Sequence, residues 1–157
     1  MSDGEHHLLV VYHSRSGGTQ AMTDAVVAGA TSDEIEGVDV RVKRAPEATA
    51  DDVQWSHAVL IGTPENFGYM SGLIKDFLER IYYTCIDVTA ALPYALFVKA
   101  STDGQGAVSS IQRILTGLRW KEVQPPIVVV GDVSPEHLAQ CTELGATMAA
   151  SLSFGMF

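Results

Sequence analysis

The stretch Leu8-Leu9-Val10-Val11-Tyr12-His13-Ser14-Arg15-Ser16-Gly17-Gly18-Thr19 decides the fold. Leu8 to Tyr12 is a continuous apolar run, the pattern of a strand buried on both faces. A small, polar, glycine-bearing loop follows, and then Met22, Ala25, Val26, Gly29 and Ala30 recur at helical spacing. Strand, tight loop and helix in that order make the first half of a βαβ unit. The succession repeats further on. Ala58-Val59-Leu60-Ile61 reads as a strand, Gly62-Thr63-Pro64-Glu65-Asn66-Phe67-Gly68 as a loop opening a helix, and Leu73, Ile74, Phe77, Leu78, Ile81 and Tyr82 as one face of that helix. On its other face Lys75/Glu79 and Asp76/Arg80 stand four apart, the spacing of helical ion pairs.

Val38-Asp39-Val40-Arg41-Val42 alternates strictly, so it predicts a strand with one wet face at a sheet edge. A short helix is expected within Thr49 to Trp55. Tyr94 to Lys99 predicts a fourth strand, Val108, Ile111, Leu115 and Leu118 a fourth helix, and Ile127-Val128-Val129-Val130 a fifth strand. The last helix has Ser134 as N-cap and Pro135 at its first position, with Leu138, Cys141, Gly145, Met148 and Leu152 inward. Five strands alternating with helices predict an α/β fold, a three-layer sandwich with helices on both faces of a parallel sheet. The edge character of the second strand suits the order 2-1-3-4-5. Ligands then bind at the switch point outside the carboxyl ends of strands 1 and 3, where the two loops lie.

The 157 residues suit a single domain, 1–157, and a 46% hydrophobic content argues against disorder. A net charge of -9 excludes non-specific binding to nucleic acid or an anionic membrane, and accommodates a protein partner with a basic patch. Cys85 and Cys141 have no metal-type spacing and are expected to be reduced and buried. The start shows no secretory pattern, and the longest apolar stretch, Val88 to Val98, is too short to span a membrane and contains Pro93. A cytoplasmic protein is expected. The apolar end Phe154-Gly155-Met156-Phe157 is expected to dock on the body, with a homodimer contact as the alternative.

In the first loop, Ser14, Ser16 and Thr19 offer hydroxyls, and Gly17 and Gly18 let amides converge at the positive end of a helix. The hexapeptide alone fits a phosphate nest and a plain capped helix start equally. Such a nest needs no lysine, and no P-loop Gly-Lys-Ser/Thr follows. Arg15 could assist an anion or face water, and water is the better reading. In the second loop Pro64 and Gly68 shape a turn. Phe67 and Tyr69 could lie on a flat ring, or be a core plug and a surface residue. A third polar loop, Ser101-Thr102-Asp103-Gly104-Gln105-Gly106, flanks the same place; its Gly104-Gln105-Gly106 is a turn into a helix, since Ser109 replaces the last glycine of a dinucleotide fingerprint. His13, at the end of strand 1, could touch a ligand, but a hydrogen-bonded structural histidine is the better reading, and Trp55 and Trp120 read as packing at the far end of the sheet. His6, His7, His57 and His137 lack metal spacing, so no metal site is predicted, and no side chain stands out as a catalytic acid or base.

With these residues in place the chain resembles the flavodoxin-like superfamily. Ser14-x-Ser16-Gly17-x-Thr19 is similar to the flavodoxin phosphate loop. The stretch Gly62-Thr63-Pro64-x-x-Phe67-Gly68-x-Met70-Ser71-Gly72-x-x-Lys75-x-Phe77-Leu78-Glu79-Arg80 resembles NAD(P)H-dependent FMN reductases and quinone oxidoreductases of the tryptophan-repressor-binding-protein type. The resemblance implies FMN, with its phosphate on Ser14, Arg15, Ser16, Gly17, Gly18 and Thr19. It implies a flavin ring against Pro64, Glu65, Asn66, Phe67, Gly68 and Tyr69, and closure by Ser101, Thr102, Asp103, Gly104 and Gly106. Glu65 departs from those reductases and is expected to bring a carboxylate near the ring. The implied function is electron transfer from NAD(P)H to a quinone or similar acceptor. The alternative is a flavodoxin-type carrier that serves a redox partner protein, which the acidic charge favours. No clear arginine pair for a nicotinamide 2′-phosphate can be placed from the sequence.

Overall fold

The computed structural model describes residues 5–157. Thirteen elements follow one another: β1 (His6–Tyr12), α1 (Gly18–Ala30), β2 (Val38–Arg44), a single 3-10 turn (Ala45–Glu47), α2 (Ala50–Trp55), β3 (Ala58–Asn66), β4 (Tyr69–Met70), α3 (Gly72–Cys85), β5 (Pro93–Ala100), α4 (Gln105–Gly117), β6 (Lys121–Glu122), β7 (Ile127–Val130) and α5 (Pro135–Ser153). The sheet order is β2-β1-β3-β5, and the position beyond β5 is shared by β6 and β7. This is the predicted order 2-1-3-4-5, with β2 at the edge.

Parallel strands need crossovers, and the helices bury most of the apolar faces that their periodicity announced, though Leu73 of α3 is exposed and Leu138 of α5 half-buried. On one side of the sheet, Leu8, Val10, Leu60, Ala95 and Phe97 pack under α1 and α5 through Met22, Val26, Cys141, Leu144 and Met148. On the other, Leu9, Val11, Val59, Ile61, Leu96 and Val98 pack under α3 and α4 through Ile74, Phe77, Leu78, Ile111 and Leu115. Arg80, on the outer face of α3, pairs with Asp76 at 2.8 Å and donates to the carbonyls of Ala45 and Ala48 at 2.8 Å each, which ties the turn after β2 to α3.

One expectation about the strands needs correction and one an addition. The predicted fifth strand, Ile127–Val130, forms as β7 against Phe97 to Ala100, and a two-residue piece the sequence did not announce, Lys121 and Glu122, pairs with Pro93 and Tyr94. Between them lie Pro125 and Pro126, which cannot both extend a ladder. The stretch from Gly62 to Asn66 is not a loop but the second half of β3. Pro64 pairs with Lys99 inside the sheet, and Glu65 and Asn66 pair antiparallel with Met70 and Tyr69. The ladder between β1 and β3 stops at Gly62, so Pro64 sits where one neighbour is gone and a proline is tolerated. The reversal comes at Phe67 and Gly68, with φ 54° and 68°, the paired positive values of a tight hairpin turn.

Both cysteines are free and buried, and burial pushes the Cys141 thiol up to about 11. The terminal residues Phe154, Met156 and Phe157 are exposed rather than docked on the body. No described helix is long and apolar enough to cross a membrane.

Candidate functional site

Three segments meet at the carboxyl edge of the sheet: the loop after β1, the β3–β4 hairpin, and the loop after β5. In the first, Gly17 caps α1 with φ 96°, a left-handed conformation that glycine takes without strain. Gly17 itself has no side chain to cap the helix, and no acidic residue lies in its first turn. Ser14 Oγ accepts from the amide of Gln20 at 3.0 Å, curling the loop over the helix start. None of the described residues accepts from the amides of Ser16, Gly17, Gly18 or Thr19. These are the donors that a helix leaves open at its positive end. Arg15, Ser16 and Gly17 are exposed and Thr19 is buried.

His13 ends β1 beside this loop. Its backbone is fixed, donating to the Gly62 carbonyl at 3.1 Å, but Nδ1 of its ring is buried with no hydrogen-bond partner. The expected hydrogen-bonded structural histidine is therefore not what forms. Burial holds the His13 pKa below its ordinary value, and the neighbouring charges of Arg44 and Arg15 lower it further. A buried ring nitrogen without a partner, next to open amides, fits a site built to receive an acceptor-rich group.

The second segment differs most from its sequence reading. Phe67 is fully exposed at the hairpin tip, which overturns the core-plug reading, and Tyr69 is about 42% exposed. Glu65 points away from both. At 5% exposure its carboxylate accepts from the amides of Ser101 (3.1 Å), Thr102 (2.8 Å) and Gly104 (3.0 Å) and from the Thr102 hydroxyl (2.9 Å). The amide of Thr102 does most to hold its pKa below the usual carboxylate range; burial opposes this, and the Thr102 hydroxyl and the amides of Ser101 and Gly104 reinforce it. The Glu65 carboxylate is the anchor of the third loop. The same bonds engage the Ser101, Thr102 and Gly104 amides, while Asp103 caps Gln105 at 3.0 Å.

The hairpin is also fixed against α4. A Cβ on Gly106 would lie 1.7 Å from the Gly68 carbonyl oxygen, so only glycine permits this approach. Met70 donates its amide to Ser110 Oγ at 3.2 Å. Beside this contact runs a groove of about 650 Å³, lined among others by Tyr69, Lys75, Ser109 and Arg113. Lys75 and Arg113, cations from two helices, thus face one space next to the hairpin.

Lys99 was missed altogether. It lies near the end of β5, and its stem crosses the first residue of α1: a Cβ on Gly18 would sit 3.0 Å from Lys99 Cε and 3.1 Å from Cγ. The signal available was a lone lysine inside an apolar strand. A second group outside the prediction lies at the opposite end of the sheet. His7 stacks between Trp55 (4.2 Å) and His57 (4.9 Å), and Arg41 lies 3.9 Å over Trp55. Both tryptophans pack as expected, Trp120 donating to Thr89 Oγ1 at 2.9 Å.

A parallel α/β sandwich with open amides and glycine turns at its switch point defines a flavodoxin-like protein. Residues 32–134 match the NADPH-dependent FMN reductase family, and the chain belongs to it. Over 74 residues it is 39% identical to a flavodoxin of Aquifex aeolicus, covering 47% of this chain and 39% of that protein. Over 93 residues it is 33% identical to an NAD(P)H dehydrogenase (quinone) of Acidithiobacillus ferrooxidans, covering 46% of each. The chain thus spans less than half the length of these curated relatives. In fold it is similar to a flavodoxin from the domain Archaea, with TM-score 0.78 at 21% identity over 93% of this chain and 98% of that one. It also resembles part of the rubredoxin oxygen:oxidoreductase of Desulfovibrio gigas, with TM-score 0.80 at 16% identity over 98% of this chain and 38% of that one. Membership of this family implies FMN.

Proposed function

We propose that the chain holds FMN at the carboxyl edge of its sheet and passes electrons from NAD(P)H to a quinone or similar small acceptor. When bound, the flavin supplies the hydride-accepting and electron-donating chemistry, and the protein supplies binding, orientation and electrostatics. The amides of Ser16 to Thr19, with the hydroxyls of Ser14, Ser16 and Thr19, would hold the phosphate at the positive end of α1. Pro64, Asn66, Phe67, Gly68 and Tyr69 would form one wall for the ring, and the loop from Ser101 to Gly106 the other. Glu65 positions that second wall rather than touching the ligand.

The observation that carries the enzymatic reading is the groove beside Tyr69. It offers a second small molecule a place next to the hairpin, with Arg113 to meet a phosphate and Lys75, which also pairs with Glu79 at 3.4 Å, beside it. The test is a flavin absorbance spectrum of the purified protein, followed by anaerobic addition of NADH and NADPH. Rapid bleaching by either nicotinamide supports a reductase. A colourless protein that fails to take up added FMN refutes the flavin site itself.

The second reading is an electron carrier. The charge of -9 favours it, since an acidic surface docks basic partners rapidly and transiently, and one relative carries the name flavodoxin. A coloured protein that reduces with dithionite but not with either nicotinamide selects the carrier.

A further inference from the structure

We infer that Lys99 is the cation that neutralises the phosphate of the bound flavin, a role the phosphate loop's own sequence does not supply. The inference rests on the FMN reading above and names a residue from the other half of the chain for it.

The geometry places the side chain. Lys99 pairs with Pro64 on one side and Val129 on the other, at the carboxyl edge of the sheet. Its Cγ, Cδ and Cε lie 3.0 to 3.2 Å from where a Cβ on Gly18 would be, so the stem runs across the first residue of α1. Its Nζ reaches only the Ala100 carbonyl, at 3.5 Å. Among the described residues no carboxylate lies within ion-pair distance of it.

That arrangement gathers like charge. A half-buried ammonium sits beside a helix end that is itself positive, and no acidic residue in the first turn of α1 offsets it. Arg15 and Arg44 act on His13, at the end of β1 beside the same loop. An unpaired ammonium beside open amides, in a chain with nearly twice as many acidic as basic residues, is a ready partner for an anion. A phosphate monoester carries between one and two negative charges near neutral pH, with its second pKa at about 6. Lys99 would hold it as the dianion and make the site select the phosphorylated flavin over riboflavin.

The test compares FMN and riboflavin binding to the full chain by flavin fluorescence quenching, in the wild type, Lys99→Met and Lys99→Arg. Methionine keeps an unbranched stem against Gly18, and thermal melts of each variant check the fold. Loss of a charge-assisted bond predicts FMN binding weakened about 10- to 100-fold in Lys99→Met, with riboflavin within about twofold of wild type. Lys99→Arg should restore most of the FMN preference. In phosphorus NMR the wild-type complex should show no titration of the phosphate near pH 6, and Lys99→Met should bring that inflection back. Equal losses for both flavins, no loss for either, or an arginine variant as weak as the methionine one overturns the role of Lys99 while leaving the flavin site standing. A wild type that binds neither flavin removes both.

Discussion

The carboxylate of Glu65 accepts the backbone amide of Thr102 at 2.8 Å, joining two segments that lie 37 residues apart in sequence. Four donor groups of the third loop converge on this one side chain. Glu65→Ala should therefore leave several buried donors open and destabilise the fold by about 2–4 kcal/mol, while Glu65→Gln should lose less. Urea denaturation monitored by circular dichroism measures both. Because the folded-state pKa of Glu65 is depressed, its contribution is present above the unfolded carboxylate pKa and is lost as pH falls through the folded value. The wild-type and Glu65→Gln stability curves should converge in acid.

Gly17 holds φ 96° where the amides of the first loop turn inward. A β-branched residue there costs about 1–2 kcal/mol of backbone strain and misaligns those donors. Gly17→Val should weaken FMN far more than riboflavin in the same titration. Equal weakening of both flavins would contradict the assignment of the phosphate to this loop.

Arg113 faces the groove beside Tyr69 together with Lys75. Under the reductase reading, Arg113→Ala should raise KM for NADPH by about tenfold, the loss of one charge-assisted contact, with kcat nearly unchanged. Steady-state kinetics with NADPH and NADH check this. A fall in kcat at constant KM would place Arg113 elsewhere in the reaction.

His13 predicts a pH dependence of the ligand-free protein. Its folded pKa lies below the ordinary 6.5, so the unfolded chain binds more protons in that window, and stability falls as pH drops from 6.5 toward the folded value. His57 shifts in the same direction, so the diagnostic quantity is the difference between wild type and His13→Gln. Melting temperatures of the two should agree best above 6.5, and the wild type should fall relative to His13→Gln as the pH drops through mildly acidic values.

The sheet order and the position of the loops were legible in the sequence because they follow from local patterns. The apolar run at Leu8 to Tyr12, the alternation at Val38 to Val42 and the spacing along each helix carry the fold. What escaped was set by partners distant in sequence. Glycine, proline and charge between Gly62 and Gly68 look like a loop, yet β5 recruits them into a strand, and Glu65 is buried only because three amides wait for it. Lys99 reads as a stray charge until α1 is placed beside β5. The two pieces of the last strand were readable in principle from Pro125 and Pro126. The meeting of Lys75 and Arg113 at one groove was not, since α3 and α4 come together only through the fold.

The divided ladder along β5 has a consequence for how this chain behaves in company. One border of the sheet is β2, where Asp39, Arg41 and Lys43 interrupt the apolar residues; the other is broken by Pro125 and Pro126 into a two-residue and a four-residue piece. Neither border offers a long, flat, uncharged template for another strand. Fibril-like growth by strand addition is thereby obstructed at both sides, and contact between copies is left to helix faces and to the exposed aromatic tail.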